Sequence, residues 1–172
     1  MKLQEKDACL TPLCRSLEQR TSSVLVLSSS QIPVALKADF RNEPEATKYP
    51  SIAKNPALYR KSAKTIFVNA EVFFMKSASV QEATLAHEVG HLFCDLSPCP
   101  EVGVDGIGEC GMADLLACRW GYLDELKVDR MPCYGKEYCD ILDSWNNQEE
   151  FLERMKVWHY RKQAGLIKPC SR

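Results

Sequence analysis

Residues 82–94 read EATLAHEVGHLFC and contain His87, Glu88 and His91 in the order H-E-x-x-H. On an α-helix, side chains four positions apart lie on one face, so both imidazoles can reach a single metal ion at roughly 2 Å. A glutamate beside them can exchange protons with a water molecule at the metal. The chain has only three histidines, the third being His159, so this spacing rarely arises by chance.

The helix that carries the motif is predicted to run from about Val80 to Cys94. Ser79 and Glu82 form an S-x-x-E pattern, which is typical of a capping box at a helix start. Apolar residues surround the histidines, so we expect them to lie in the interior, where a shared zinc ion satisfies both rings. Gly90 costs roughly 1 kcal/mol of helix propensity, and we expect it to leave space beside the metal.

A catalytic zinc ion needs a third protein ligand and an open position for water. The next predicted helix begins near Glu109 and ends near Gly121, and its first turns offer Glu109, Cys110 and Asp114. A carboxylate and a thiolate are both good zinc ligands. Asp114 lies in an apolar stretch, so we expect it to have a polar partner, and orienting one of the motif histidines fits.

These two segments resemble the gluzincin metallopeptidases. The closest resemblance is to the ImmA/IrrE family, and a more distant one is to the Ste24-like peptidases. It covers about residues 64–120 and rests on TLAHEVGHLF (84–93) and ECGMADLLA (109–117). In those families a glutamate of the second helix is the third zinc ligand. An Asp or Asn four residues later hydrogen-bonds the first zinc histidine.

The resemblance implies a Zn²⁺ site formed by His87, His91 and Glu109. It further implies that Glu88 is the catalytic general base and that Asp114 supports a zinc histidine from outside the coordination sphere.

The chain departs from the family pattern at the third ligand. Cys110, not a glutamate, stands four residues before Asp114, and Glu109 stands one step further back. Glu109 can still be the ligand if the helix begins there with an irregular first turn. Cys110 is the alternative, as a thiolate.

The rest of the chain predicts a small sheet and a final long helix. Strands are expected at residues 23–28, 32–40 and 64–70. Residues 5–20 are expected to form a short helix that is broken near Pro12, and residues 41–56 a surface loop. Residues 129–140 are expected to be irregular, and the last helix covers about 145–164, with Phe151, Met155 and Trp158 on one stripe. The strand before the motif helix, at 64–74, is the candidate sheet edge for a substrate peptide.

The predicted fold class is α+β, a single zincin-like domain over residues 1–172. Its core is expected at about 23–126, where a small mixed sheet packs on the H-E-x-x-H helix and the following ligand-bearing helix. The C-terminal helix at about 145–164 packs on this core.

Composition limits the partners and the compartment. The net charge of −1 gives no electrostatic case for direct nucleic-acid binding, and no apolar run approaches the roughly 20 residues that span a bilayer. The N-terminus lacks the apolar core of a secretory signal, so we expect a cytoplasmic protein. Nine cysteines without a C-x-x-C favour reduced thiols, with bridges such as Cys94–Cys99 or Cys133–Cys139 as the alternative in an exported protein.

The expected function is that of a zinc-dependent metallopeptidase that hydrolyses a protein or peptide substrate. The resemblance implies limited proteolysis of a regulatory partner such as a repressor. Two alternatives remain: a catalytically silent zinc-binding interaction module, and a disulfide-stapled exported zincin toxin. Tyr122, Arg119, His159 and Tyr160 are further polar candidates near a developing oxyanion, and none of them is assigned a role.

Overall fold

Helices dominate the residues that the computed structural model describes, which are 10–22, 34–37, 40, 50–96 and 107–167. The α-helices are α1 (Thr11–Ser22), α2 (Ala70–Phe73), α3 (Ala78–Leu96), α4 (Glu109–Arg119), α5 (Leu123–Leu142) and α6 (Gln148–Gln163). The strands are β1 (Val34–Lys37), β2 (Ala57–Arg60) and β3 (Thr65–Asn69), and a 3₁₀ turn covers Pro50–Lys54. The α+β class is confirmed. No described helix combines the length and apolar character needed to cross a membrane.

The three described strands form a mixed sheet in the order β1-β3-β2. β1 pairs parallel with β3, with Val34 opposite Ile66, and β2 pairs antiparallel with β3, with Leu58 opposite Phe67. The strand prediction at 64–70 is confirmed, but its expected place at the sheet edge is wrong. β3 is central among the described strands because β2, for which no strand is predicted from the sequence, pairs along its other side. Among the described strands, β2 is the edge that faces α3.

The N-terminal predictions are confirmed in part. The predicted strand at 32–40 contains β1, whereas the predicted strand at 23–28 lies outside the described residues. The short N-terminal helix is α1, and Pro12 does not break it. Pro12 occupies the first turn, where a missing backbone N–H removes no helical hydrogen bond. Residues 50–54 of the predicted surface loop form the 3₁₀ turn.

Helix α3 extends two residues beyond its predicted bounds at each end, and the predicted capping box does not form. Ser79 lies within the helix, with its hydroxyl 3.3 Å from that of Ser77. The Glu82 carboxylate instead accepts hydrogen bonds from Ser16 Oγ at 3.3 Å and from Tyr122 Oη at 3.2 Å. These contacts with α1 and with the start of α5 replace the local capping interaction.

The close packing of α3 on α4 depends on Gly90. A Cβ atom there would lie 2.7 Å from the Cα of Ala113 and 2.9 Å from its carbonyl oxygen. The expectation that Gly90 leaves space beside the metal is therefore wrong: it leaves space for the backbone of α4. This close contact brings the first turns of α4 towards the histidine-bearing face of α3.

Residues 129–140, predicted to be irregular, lie in α5, which consists of two helical segments that meet at a kink within this stretch. The helix contains Pro132 and breaks its regular backbone at Gly135, whose φ is 76° and ψ −177°. A proline inside a helix costs roughly 3 kcal/mol, so local propensity argues against a helix here. Tertiary burial of residues such as Leu126 and Tyr138 overrides that penalty.

Helix α6 begins three residues later than predicted and ends one residue earlier. The Asn147 side chain caps it by accepting a hydrogen bond from the Glu150 backbone N–H at 3.3 Å. Phe151, Met155 and Trp158 are buried as the sequence predicts. Gly165, with a φ of 70°, follows the helix end.

Several cysteines are reduced thiols. Cys14, Cys118 and Cys139 form no disulfide, and burial raises the pKa of the Cys14 thiol to about 11. Because Cys139 is a free thiol whose Sγ lies 3.6 Å from the Lys127 carbonyl oxygen, the alternative Cys133–Cys139 bridge is wrong. Cys99, the other half of the Cys94–Cys99 alternative, lies outside the described residues.

Candidate metal centre and cleft

Helix α3 directs His87, Glu88 and His91 into one cleft, and both His87 and Glu88 are only 7% exposed. The Nε2 atoms of the two histidines lie 3.1 Å apart, and their rings meet edge to face with centroids 4.7 Å apart. The four-residue spacing thus produces the convergence of imidazoles that a shared cation requires.

The protonation of the two rings differs. Burial and the neighbouring His87 lower the pKa of His91 to about 3, so His91 is neutral near pH 7. Burial alone also lowers the pKa of His87, but the Asp114 carboxylate outweighs it and raises that pKa to about 10. Without a metal ion, His87 therefore carries a proton that its Nε2 can donate to His91. A metal ion held by both Nε2 atoms would take the place of this proton, so metal binding would release it.

Asp114 supports His87 from helix α4. His87 Nδ1 donates to Asp114 Oδ1 at 2.6 Å. Arg130, on α5, donates to both oxygens of the same carboxylate, from Nε at 3.1 Å and from one terminal nitrogen at 3.0 Å. Tyr138 Oη donates to Asp114 Oδ2 at 2.6 Å. Burial alone raises the pKa of Asp114, but Arg130 and His87 hold it well below the usual range of an aspartate.

Glu88 has a separate partner on the sheet. The backbone N–H of Tyr59, on β2, donates to Glu88 Oε2 at 2.6 Å. Burial raises the pKa of Glu88 above the ordinary value, while His87 and the Tyr59 N–H oppose that rise. Glu88 is thus a buried carboxyl group with a raised pKa beside two imidazole rings, which is an environment suited to a general base.

The first turn of α4 reaches the same cleft. Within the described part of the chain, one group of potential ligand atoms lies within 4.8 Å of one another, and it belongs to His87, His91 and Cys110. Glu109 lines the cleft at the preceding position but is not in that group. Both Glu109 and Cys110 are exposed. The structure therefore brings the alternative third ligand closest to the histidines and keeps the predicted one beside it.

This donor set fits a zinc ion. In a tetrahedral zinc site with zinc–nitrogen distances of roughly 2.0–2.1 Å, two nitrogen ligands lie about 3.3 Å from each other. The His87 and His91 nitrogens, at 3.1 Å, are close to that separation. A donor set of two imidazoles with a thiolate or a carboxylate suits zinc better than it suits magnesium or calcium.

The cleft has a volume of about 410 Å³ and lies between β2 and the α3–α4 pair. Its lining residues are Asn55, Leu58, Tyr59, Lys61, His87, Glu88, His91, Cys94, Asp95, Glu109 and Cys110. A second cavity of about 130 Å³ shares Asn55, His87, Glu88 and Cys110 and extends to Arg130. Both cavities thus border the His87–Glu88 pair.

Tyr59 fastens β2 to α3 at two points. Its backbone N–H holds Glu88, and its hydroxyl donates to Asp95 Oδ2 at 2.8 Å. Lys61 Nζ lies 2.9 Å from the other Asp95 oxygen. The edge strand is therefore held beside the cleft along two turns of the helix.

The polar candidates named for the oxyanion lie elsewhere. Tyr122 is buried against Glu82, Arg119 contacts Gln148 on the surface, and His159 contacts Gln163. None of these, and not Tyr160, lines the 410 Å³ cleft.

Sequence reasoning missed Tyr59, Arg130 and Tyr138. A buried aspartate signals that a cation must be near it, but the sequence does not say which one. Arg130 and Tyr138 were hidden in a segment whose proline and glycine suggest irregular structure. Tyr59 acts through its backbone, which leaves no side-chain signal.

No protein-family model, curated protein or solved structure matches this chain.

Proposed function

We propose that this protein is a zinc-dependent metallopeptidase with a zincin-like domain of the gluzincin type, similar to the ImmA/IrrE family. The observation that carries the proposal is the convergence of the His87 and His91 Nε2 atoms, 3.1 Å apart, beside the buried Glu88 in an open cleft. The proposed substrate is a protein or peptide, such as a regulatory partner in the cytoplasm.

His87 and His91 would hold the ion, with a third donor from the first turn of α4. Glu109 is the predicted donor, and Cys110 is the alternative favoured by its distance to the histidines. When bound, zinc supplies Lewis acidity, which lowers the pKa of a coordinated water molecule towards about 7 and polarises a substrate carbonyl.

Glu88 moves the proton. As a carboxylate it accepts a proton from the attacking water, and it then donates that proton to the leaving amine. Its raised pKa makes the carboxylate a stronger base for the first step, and the leaving amine, which is more basic than any carboxylate, takes the proton in the second. The Tyr59 N–H holds one carboxylate oxygen, which leaves Oε1 to face the cleft.

A substrate peptide would lie extended along β2. In the antiparallel ladder, Pro56 accepts from Asn69, so the backbone groups of the odd-numbered residues 57 and 59 point away from β3. The outward N–H of Tyr59 reaches Glu88, which places this side of β2 at the cleft. An edge strand beside a catalytic carboxylate is a suitable template for strand addition.

The proposal is tested by peptide cleavage. We expect the zinc-loaded protein to cleave a peptide library, a chelator to abolish cleavage, and zinc to restore it. Glu88→Gln should lower kcat at least about 10²-fold while zinc remains bound. Glu82→Gln is the matched control, because Glu82 lies on the same helix but does not line the cleft. Cleavage that survives Glu88→Gln would contradict the mechanism.

The silent zinc-binding module is the second candidate, and Cys110 is the observation that favours it. A thiolate donates more charge to zinc than a carboxylate and makes it a weaker Lewis acid. Zinc binding without cleavage of any library peptide, and partner binding unchanged by Glu88→Gln, would support this candidate. The reduced thiols Cys118 and Cys139 argue against the disulfide-stapled toxin.

A further inference from the structure

The Asp114 carboxylate is saturated with hydrogen bonds. Oδ1 accepts from His87 Nδ1 and from Arg130, and Oδ2 accepts from Arg130 Nε and from Tyr138 Oη. An ionised carboxylate has about four acceptor positions, and here each oxygen has two donors. Asp114 is 0% exposed, so no water competes for these positions.

We propose that Arg130 and Tyr138 are positioning residues, which hold Asp114 in one orientation and thereby direct the Nε2 atom of His87 into the cleft beside His91. The hydrogen bonds that join them to the site end on Asp114, so they act through that carboxylate. The inference rests on the proposed function only in taking His87 as a metal ligand.

The hydrogen-bond roles fix the tautomer of His87. Arg130 and Tyr138 donate to Asp114, so the carboxylate is left with only acceptor positions for His87. Nδ1 must therefore carry a hydrogen atom, and Nε2 is the nitrogen that remains for a metal ion. Without the donors from α5, the carboxylate could rotate and the imidazole would lose its fixed direction.

The same network balances the buried charges. The Arg130 side chain is 15% exposed and faces Asp114 and Asp129, whose Oδ2 lies 2.7 Å from its other terminal nitrogen. Lys76, next to the start of α3, lies 2.5 Å from Asp129 Oδ1. A chain of alternating charges thus connects Lys76 to His87, and each buried charge has an opposite neighbour, as burial requires.

Zinc affinity tests the proposal, measured by competition with a chromophoric chelator. Tyr138→Phe removes only the hydroxyl, and Tyr134→Phe is its matched control. Tyr134 lies on the same helix with its ring 4.8 Å from that of Tyr138, but it makes no bond to Asp114. We expect Tyr138→Phe and Arg130→Gln to weaken zinc binding about 10-fold to 100-fold and Arg130→Lys to restore part of the loss. Tyr134→Phe should leave the affinity unchanged.

A double-mutant cycle separates positioning from general destabilisation. In an Asp114→Asn background, Arg130→Gln should weaken zinc binding little further, because the group through which it acts is gone. An equal loss in both backgrounds would overturn the proposal. So would an unchanged affinity in Tyr138→Phe.

A readout without metal or substrate keeps this test independent of the peptidase proposal. In the zinc-free protein, the His87 Nδ1 hydrogen should give a strongly downfield NMR resonance, because its bond to Asp114 is short. We expect Tyr138→Phe to shift or broaden this resonance and Tyr134→Phe to leave it in place. A resonance unchanged by Tyr138→Phe would overturn the proposal, whether or not the protein cleaves peptides.

Discussion

Glu88 is held by a backbone group, and this hydrogen bond affects the pKa of its carboxyl group. Burial raises the pKa of Glu88, and the Tyr59 N–H limits that rise by bonding to the carboxylate. A side-chain substitution at position 59 leaves this bond in place, whereas proline removes it. Tyr59 N–H points away from β3, so proline there costs no ladder hydrogen bond.

Tyr59→Pro and Tyr59→Ala both remove the phenol ring, but only Tyr59→Ala keeps the backbone N–H. We therefore expect Tyr59→Pro to raise the pKa of Glu88 further than Tyr59→Ala. The acid limb of kcat/KM against pH should move to higher pH in Tyr59→Pro, because a base with a higher pKa is deprotonated only at higher pH. Acid limbs at the same pH in the two variants would show that the backbone bond has no role in tuning Glu88.

At the scale of elements, the site depends on how closely α3 and α4 approach. Gly90 contacts backbone atoms of Ala113, which cannot move without shifting the helix. Gly111 gives the matched comparison, because a Cβ there would meet the flexible side chain of Met155, at 2.9 Å from its Cγ. One glycine faces rigid backbone and the other faces a movable side chain.

Gly90→Ala should lower the free energy of unfolding by about 1–3 kcal/mol, net of the gain in helix propensity. Gly111→Ala should change it by less than about 1 kcal/mol, since Met155 can adopt another rotamer. Chemical denaturation of the two zinc-free variants measures both values. Equal effects would mean that helix contact at Gly90 is looser than the structure indicates.

The elements that sequence could predict are those with local signals. α3, α4 and α6 have apolar residues at helical spacing, and β3 alternates apolar and polar residues. β2 is a four-residue strand without such a pattern, and it forms because β3 offers a free side. α5 forms despite Pro132 and Gly135 because its buried face packs on α3 and α4.

The residues of the candidate site also divide into those with a local sequence signal and those without one. His87, Glu88 and His91 follow from four-residue spacing within one helix, and Asp114 from its apolar surroundings. The contacts of Arg130 and Tyr138 with Asp114 span 16 and 24 residues. Nothing local specifies such contacts, so they could not be predicted. The choice between Glu109 and Cys110 depends on side-chain directions in the first turn of α4, which spacing alone leaves open.

At the scale of the whole molecule, Asp114 couples global stability to pH. Its folded-state pKa lies well below the ordinary value, so it stabilises the fold above the pKa of an unfolded aspartate, about 3.9. This contribution is lost as the pH falls below that value, because the unfolded chain then binds a proton that the folded chain does not.

We expect the zinc-free protein to lose up to about 1.4 kcal/mol per pH unit from this single group below pH of about 4. Asp114→Asn should show a shallower acid limb, although it is less stable at neutral pH. Urea denaturation of the wild type and of Asp114→Asn at pH values between about 3 and about 7 gives the slope of the free energy of unfolding against pH for each protein. Parallel slopes would mean that Asp114 does not hold its charge in the folded protein.

The central claim is a zinc site built on His87 and His91, and metal content per chain tests it most directly. Elemental analysis would compare the wild type with His87→Gln, Glu109→Gln and Cys110→Ser, after purification without chelator and with zinc supplied. His159→Gln is the control, because the third histidine does not line the cleft. We expect about one zinc per chain in the wild type and in His159→Gln, with loss in His87→Gln and in one of the two α4 variants. A wild type without zinc, or a zinc content unchanged by His87→Gln, would contradict the account.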